Sequence, residues 1–218
     1  NVQFRTSVDP GSYIPTHWHR AIEIIYMQEG SLDVTVESES FTIHEGDCIL
    51  VNGNVLHSTK CTAPNTAILL QIPLDFMAKY IPDLGQLLFL WDYRTDDPVK
   101  KTKLMMLKTT LEQLQVINDI QPDGYLLRFN SLIFELMFQL YHNFSVQVFP
   151  QDINHKKKEM DRLDPVLNYI AEHYKEPISL DEIADIACLQ TGYFCRFFKK
   201  KMGVTFLEYQ NEYRLSFI

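Results

Sequence analysis

The sequence predicts an α+β chain: a β-rich first third followed by a helical remainder. Three observations carry that expectation. Short β-branched and aromatic runs separated by turn residues fill residues 1 to about 74, and apolar residues recur at helical spacing from about residue 97. A series of explicit helix caps then begins near residue 164.

The β runs are Ile22 to Met27, Leu32 to Val36, Phe41 to Ile43, Cys48 to Val51 and Ala67 to Ile72, punctuated by Gly30, Gly46, Gly53 and Pro64. Many short strands with turn signals between them predict an antiparallel sandwich or barrel over 1–74. Met27, Phe41 and the other apolar strand residues are expected in its core. Asp97 to Asn118 and Tyr125 to Phe144 predict two amphipathic helices. Leu126, Phe129, Leu132, Ile133, Leu136, Met137 and Leu140 form a stripe on the second. That stripe can pack on the sheet or on a second copy, so 75–150 is read as helices on the barrel and as the expected homodimer contact. Residues 151–163 carry Lys156, Lys157 and Lys158, lose apolar periodicity and read as a linker.

The last unit, 164–218, is read from its caps. Asp164-Pro165 predicts a helix start, with an acceptor at the cap and proline at the first helical position. Ser179-Leu180-Asp181-Glu182 is a capping box that opens a helix over 180–187. A third helix is expected from about Thr191 to Met202, stopped by Gly203, and Thr205-Phe206-Leu207-Glu208 opens a fourth. On a helical wheel the third helix has two faces: Phe194, Phe197, Phe198 and Met202 pack, while Gly192, Cys195, Arg196, Lys199 and Lys200 face outward. A short turn before an exposed basic helix suits insertion into a major groove about 12 Å wide.

Bulk composition limits the alternatives. The chain has 218 residues and a formal charge of −8, which argues against a broad basic surface coating nucleic acid, so DNA contact must be local. The four cysteines show no zinc-module or disulfide spacing, which fits a reducing cytoplasm. No apolar run approaches the roughly 20 residues that span a bilayer, so no membrane contact is expected.

Ile170 to Leu215 resembles the first half of the AraC/XylS family DNA-binding domain. The resemblance rests on Ser179 to Ala184, Tyr193 to Lys200, Gly203, Phe206, Glu208-Tyr209 and Arg214-Leu215. It implies a bacterial sequence-specific transcription regulator that binds double-stranded DNA through Gln190, Thr191, Gly192, Cys195, Arg196, Lys199 and Lys200. It departs from the usual pattern at Gln190, where a better cap is common, and at Gly192, which offers no side chain to a base. Domains of this family contain two such units joined by a long helix. Ile218 falls in what resembles that joining helix, so one reading unit and weak DNA binding by these residues alone are expected.

Gly11-x5-His17-x-His19-x3-Glu23-x6-Gly30 is similar to the first cupin motif at every position, and Gly46 and His57 fit a weaker second one. The fold expected for 1–74 is therefore a cupin-like barrel. The sensing domains of AraC-like regulators resemble cupins and commonly bind a small-molecule effector without metal. His17, His19, Glu23, Tyr26 and His57 are accordingly assigned to an effector pocket, suited to a sugar or related polar metabolite. His17, His19, Glu23 and His57 also make up the three-His, one-carboxylate donor set of cupin enzymes, suited to a divalent metal. No cofactor and no catalysis are expected. The rival reading is a metal-dependent cupin enzyme, such as an isomerase or dioxygenase, with a helical appendage.

Overall fold

The structure, a computed structural model, describes residues 1–148 and 150–215, with the side chains of 150–160 also outside the description. Eight strands build the first unit: β1 (Gln3–Asp9), β2 (Tyr13–His17), β3 (Ala21–Glu29), β4 (Ser31–Val36), β5 (Glu39–His44), β6 (Cys48–Val51), β7 (His57–Lys60) and β8 (Asn65–Pro73). They form two antiparallel four-stranded sheets, ordered β1-β8-β3-β6 and β2-β7-β4-β5. Ile25, Met27, Ile49 and Ala67 of the first sheet meet Leu32, Val34 and Ile43 of the second in one apolar core, so the inner faces close on each other as a barrel. Gly30 turns β3 into β4 at φ +80°, and a Cβ there would stand 2.7 Å from the Pro64 carbonyl oxygen. Only glycine fits that turn.

Side chains alternate along a strand, so Ile22, Ile24, Ile68, Leu70 and Ile72 emerge on the other face of the first sheet. Two helices cover that face: α2 (Pro98–Ile120) and α3 (Tyr125–Gln139), which follow a short α1 (Leu74–Met77). Their buried contributions include Leu107, Leu111, Leu114, Ile133 and Leu136. Asp97 caps α2 by accepting from the Val99 and Lys100 amides. The stripe expected on α3 is buried from Leu132 to Leu140, but Leu126 is exposed because it precedes the stretch that reaches the sheet. A π-helical turn (Leu140–Phe144) ends α3, and β9 (Leu87–Phe89) pairs with β10 (Ser145–Gln147).

Four helices follow among the described residues: α4 (Pro150–His173), α5 (Leu180–Ile186), α6 (Thr191–Met202) and α7 (Phe206–Leu215). Here two expectations are corrected. The backbone of 151–163 is helical rather than an irregular linker, and Asp164-Pro165 lies inside α4 rather than at its start. Leu163 is fully buried with Val166 and Ile170 on one helical face, so the buried stripe of α4 already begins two residues before the proline. Asp164 then accepts from the side-chain Nδ2 of Asn168 instead of capping. Lys156, Lys157 and Lys158 fall on α4, but their side chains lie outside the described residues.

The other caps form as expected. Ser179 accepts from the Glu182 amide while Glu182 accepts from that of Ser179, and Thr205 and Glu208 do the same for α7. Gly203 ends α6 at φ +77°. Phe194, Phe198, Phe206 and Tyr209 make the aromatic core of this unit. No helix among the described residues is long and apolar enough to cross a membrane.

Candidate functional site

The first site lies at one end of the barrel interior. β2 ends at His17, and Trp18 to Arg20 form a break before β3. His17 and Glu23 therefore do not share a continuous strand; they arrive from opposite sheets. His57 stands directly across from His17 in the β2–β7 ladder. The candidate ligand atoms of His17, His19 and His57 all fall within 4.8 Å of one another.

Each imidazole is oriented by the backbone. The Nδ1 atoms of His17, His19 and His57 lie 2.9, 3.0 and 2.9 Å from the carbonyl oxygens of Pro15, Ala21 and Val55. A carbonyl only accepts, so all three Nδ1 atoms carry the proton and direct Nε2 inward. Glu23 is buried, and its Oε2 lies 2.8 Å from His19 Nε2 and 3.8 Å from His57 Nε2. Buried His57 Nε2 has no hydrogen-bond partner.

Both nitrogens of His19 thus face oxygen acceptors. His19 Nε2 also lies 3.2 Å from the Gln71 side-chain amide nitrogen, so it sits between that amide and the Glu23 carboxylate. Burial alone would raise the Glu23 carboxyl, but the His19 hydrogen bond, the neighbouring His57 and the Gln71 amide outweigh it and hold the group well below the usual carboxylate range. Burial, followed by the adjacent His57, lowers His17 to about 4. At neutral pH the cluster thus offers a carboxylate beside an uncharged His17 ring.

Gln71 belongs to this site and was not foreseen. It is the direct β8 partner of Glu23, and its Nε2 donates to Glu23 Oε2 at 2.6 Å. Only knowledge of the strand pairing could have found it. Tyr26, expected in the pocket, is corrected: three positions from Glu23 it takes the other face of β3, where its hydroxyl donates to Glu112 on α2. Close by, a cavity of about 340 Å³ is lined by Val36, Phe41, Ile49, Trp91 and Tyr93 among others. Val36 is the direct β4 partner of His57.

The second site is α6. Phe194, Phe197, Phe198 and Met202 are buried, while Gln190, Gly192, Arg196, Lys199 and Lys200 are exposed and Thr191 and Cys195 are partly so. Thr191 donates to Asp181 of α5 at 2.6 Å, which ties the two helices across their turn. Cys188 makes that turn at φ 54°. One face of α6 is therefore held by its core and the other is free, basic at Arg196, Lys199 and Lys200.

Comparison with known proteins agrees with this division. Residues 4–73 match the Cupin domain, and residues 170–211 match the bacterial regulatory helix-turn-helix proteins of the AraC family. Among curated relatives, the uncharacterized HTH-type transcriptional regulator YdeC of Bacillus subtilis is 27% identical over 98% of this chain and 75% of its own. The probable transcriptional regulator LumQ of Photobacterium leiognathi is also 27% identical, over 92% of this chain and 73% of its own. An RmlC-like cupin from Shewanella frigidimarina, 26% identical, aligns with 34% of this chain and 70% of its own at a TM-score of 0.32. A Cupin-domain match in front of an AraC-type helix-turn-helix match, with relatives named as transcriptional regulators and a basic face left free on α6, supports a DNA-binding transcription regulator.

Proposed function

We propose that this DNA-binding regulator responds to a ligand held at the barrel's histidine end, and that its sequence reading rests on α6. The exposed basic face of α6 carries the DNA half of this reading. Arg196 is the side chain suited to base edges, Lys199 and Lys200 suit phosphates, and Gln190, Thr191, Gly192 and Cys195 border them. Selection from a pool of random duplexes should enrich one motif, and Arg196→Ala should weaken binding to it by about 1–3 kcal/mol. An Arg196→Ala variant with unchanged affinity and unchanged preference for the selected motif would reject this assignment.

The ligand half rests on the three inward Nε2 atoms beside Glu23. That donor set suits a divalent cation such as Zn(II), held by His17, His19 and His57 with Glu23 alongside; a bound cation would supply a Lewis-acidic anchor for an oxygen-bearing effector. A polar metabolite in the adjacent cavity could use the same groups as hydrogen-bond partners. Calorimetry with Zn(II), on wild type and on the His17→Ala, His57→Ala double variant, tests the cation; the expected result is one ion per chain, lost in the variant. We read the barrel as a sensor rather than an enzyme, and turnover of a sugar or aromatic substrate by the metal-loaded protein would reverse that.

A homodimer through α3 and the π-helical turn that follows it fits this reading, because Leu127, Phe134 and Phe138 of the helix and Tyr141 of the turn are exposed. Sedentary monomers at micromolar concentration in sedimentation would reject it. Action in the cytoplasm, on double-stranded DNA, completes the proposal.

A further inference from the structure

The helical unit is seated on the barrel beside the histidine cluster. Leu56, the residue before His57, is 5% exposed and belongs to the same buried cluster as Leu163, Val166, Ile170, Phe194 and Phe198. Trp18, between His17 and His19, packs against that cluster too. Trp18 begins the break after β2 and Leu56 immediately precedes β7, so both sit where the chain leaves or enters a strand beside a clustered histidine. The segments bearing these two side chains are joined, since the Asn54 amide donates to the His19 carbonyl at 2.9 Å.

A polar contact lies further along the same surface. The Tyr13 hydroxyl, on β2 with His17, donates to Glu212 Oε2 of α7 at 3.2 Å. From α7 the packing continues into the reading helix through Phe198 against Tyr209, with ring centroids 5.6 Å apart, and Phe194 against Phe206 at 6.0 Å. The basic face of α6 is left exposed, so this seat does not cover the DNA-reading surface.

We propose that Trp18 and Leu56 are the coupling residues of the regulator: they convey occupancy of the histidine cluster by a divalent cation to the helix-turn-helix, with Tyr13–Glu212 as an accessory lock. This rests on the reading of the cluster as a cation site. A cation held by His17, His19 and His57 cross-links the two segments that carry Trp18 and Leu56. The platform stiffens, and the seated arrangement is favoured over detached ones in proportion to the cation's preference for it.

Hydrogen exchange followed by mass spectrometry, with and without saturating Zn(II), tests the coupling. Wild type should exchange more slowly over 163–215 when Zn(II) is bound. A Trp18→Ala, Leu56→Ala double variant should bind Zn(II) with the same stoichiometry by calorimetry and lose that slowing. The milder Tyr13→Phe, which deletes one hydroxyl, should reduce the slowing in α7 and serves if the double variant does not fold. In a Trp91→Phe background Trp18 is the one remaining tryptophan, and its emission should shift on Zn(II) addition. Zn(II) binding with unchanged or faster exchange over 163–215 would overturn the coupling alone, as would full slowing in both interface variants. Failure of Zn(II) to bind wild type would instead remove the cation reading, and the inference with it.

Discussion

Gln71 Nε2 stands 2.6 Å from Glu23 Oε2 and 3.2 Å from His19 Nε2, so one amide is shared by the acid and the base of the histidine cluster. Replacing Gln71 by Leu removes a donor from a buried carboxylate. The expected loss of stability is about 1–3 kcal/mol, read from urea denaturation at pH 7. A midpoint equal to wild type would mean that Glu23 is satisfied without it.

The seat between β2 and α7 should loosen in alkali. Burial, then the Glu212 charge and hydrogen bond, raise the Tyr13 phenol from 10 to about 12. Folding therefore favours the protonated phenol: its contribution is complete below pH 10 and is lost as pH rises from 10 towards 12. Tyr209 and Glu212 of α7 face it, and burial raises the Tyr209 phenol in the same sense. Melting curves at several pH values should show wild type losing more stability than Tyr13→Phe across that interval. Parallel losses in the two proteins would contradict this assignment.

Phe198 is fully buried among Phe194, Phe206 and Tyr209. Phe198→Ala should cost about 3–5 kcal/mol, because the cavity is walled by rings that cannot collapse into it. Amide protection should fall in α5 to α7 and persist in the barrel, and sequence-specific DNA binding should disappear. Retained binding at wild-type affinity would show that the core tolerates the void.

Gly203 has φ +77° with open space where a Cβ would project. The penalty for Gly203→Ala is then one of backbone conformation, about 1 kcal/mol, and Gly203→Asn should recover part of it. Thermal denaturation compares the three proteins; equal midpoints would rule out strain at this cap.

Local chemistry made much of this architecture legible. The capping boxes at Ser179 and Thr205 located α5 and α7, and the two faces of α6 were readable from Phe194, Phe197 and Phe198 against Arg196 and Lys199. Such features depend on residues within one or two helical turns. β1, β2 and β7 escaped detection because Gln3 to Asp9, Tyr13 to His17 and His57 to Lys60 mix polar side chains into short strands, whose stability comes from partners distant in sequence. The start of α4 was misplaced for a related reason: Asp164-Pro165 carries a strong local start signal, but burial of Leu163 extends the helix through it.

The sequence by itself determined the two-part plan, the cupin-like histidine motif and the two-faced helix α6 that is proposed to read DNA, since each is written in spacing along the chain. Tertiary structure alone decided that Gln71 joins Glu23, that Tyr26 leaves the pocket for Glu112, and that Trp18 and Leu56 tie the histidine cluster to the helical unit. For Gln71 and Tyr26 the physical reason is the two-residue alternation of a strand. It fixes which side chains share a face, while only the pairing of strands and the packing of sheets determine what that face meets.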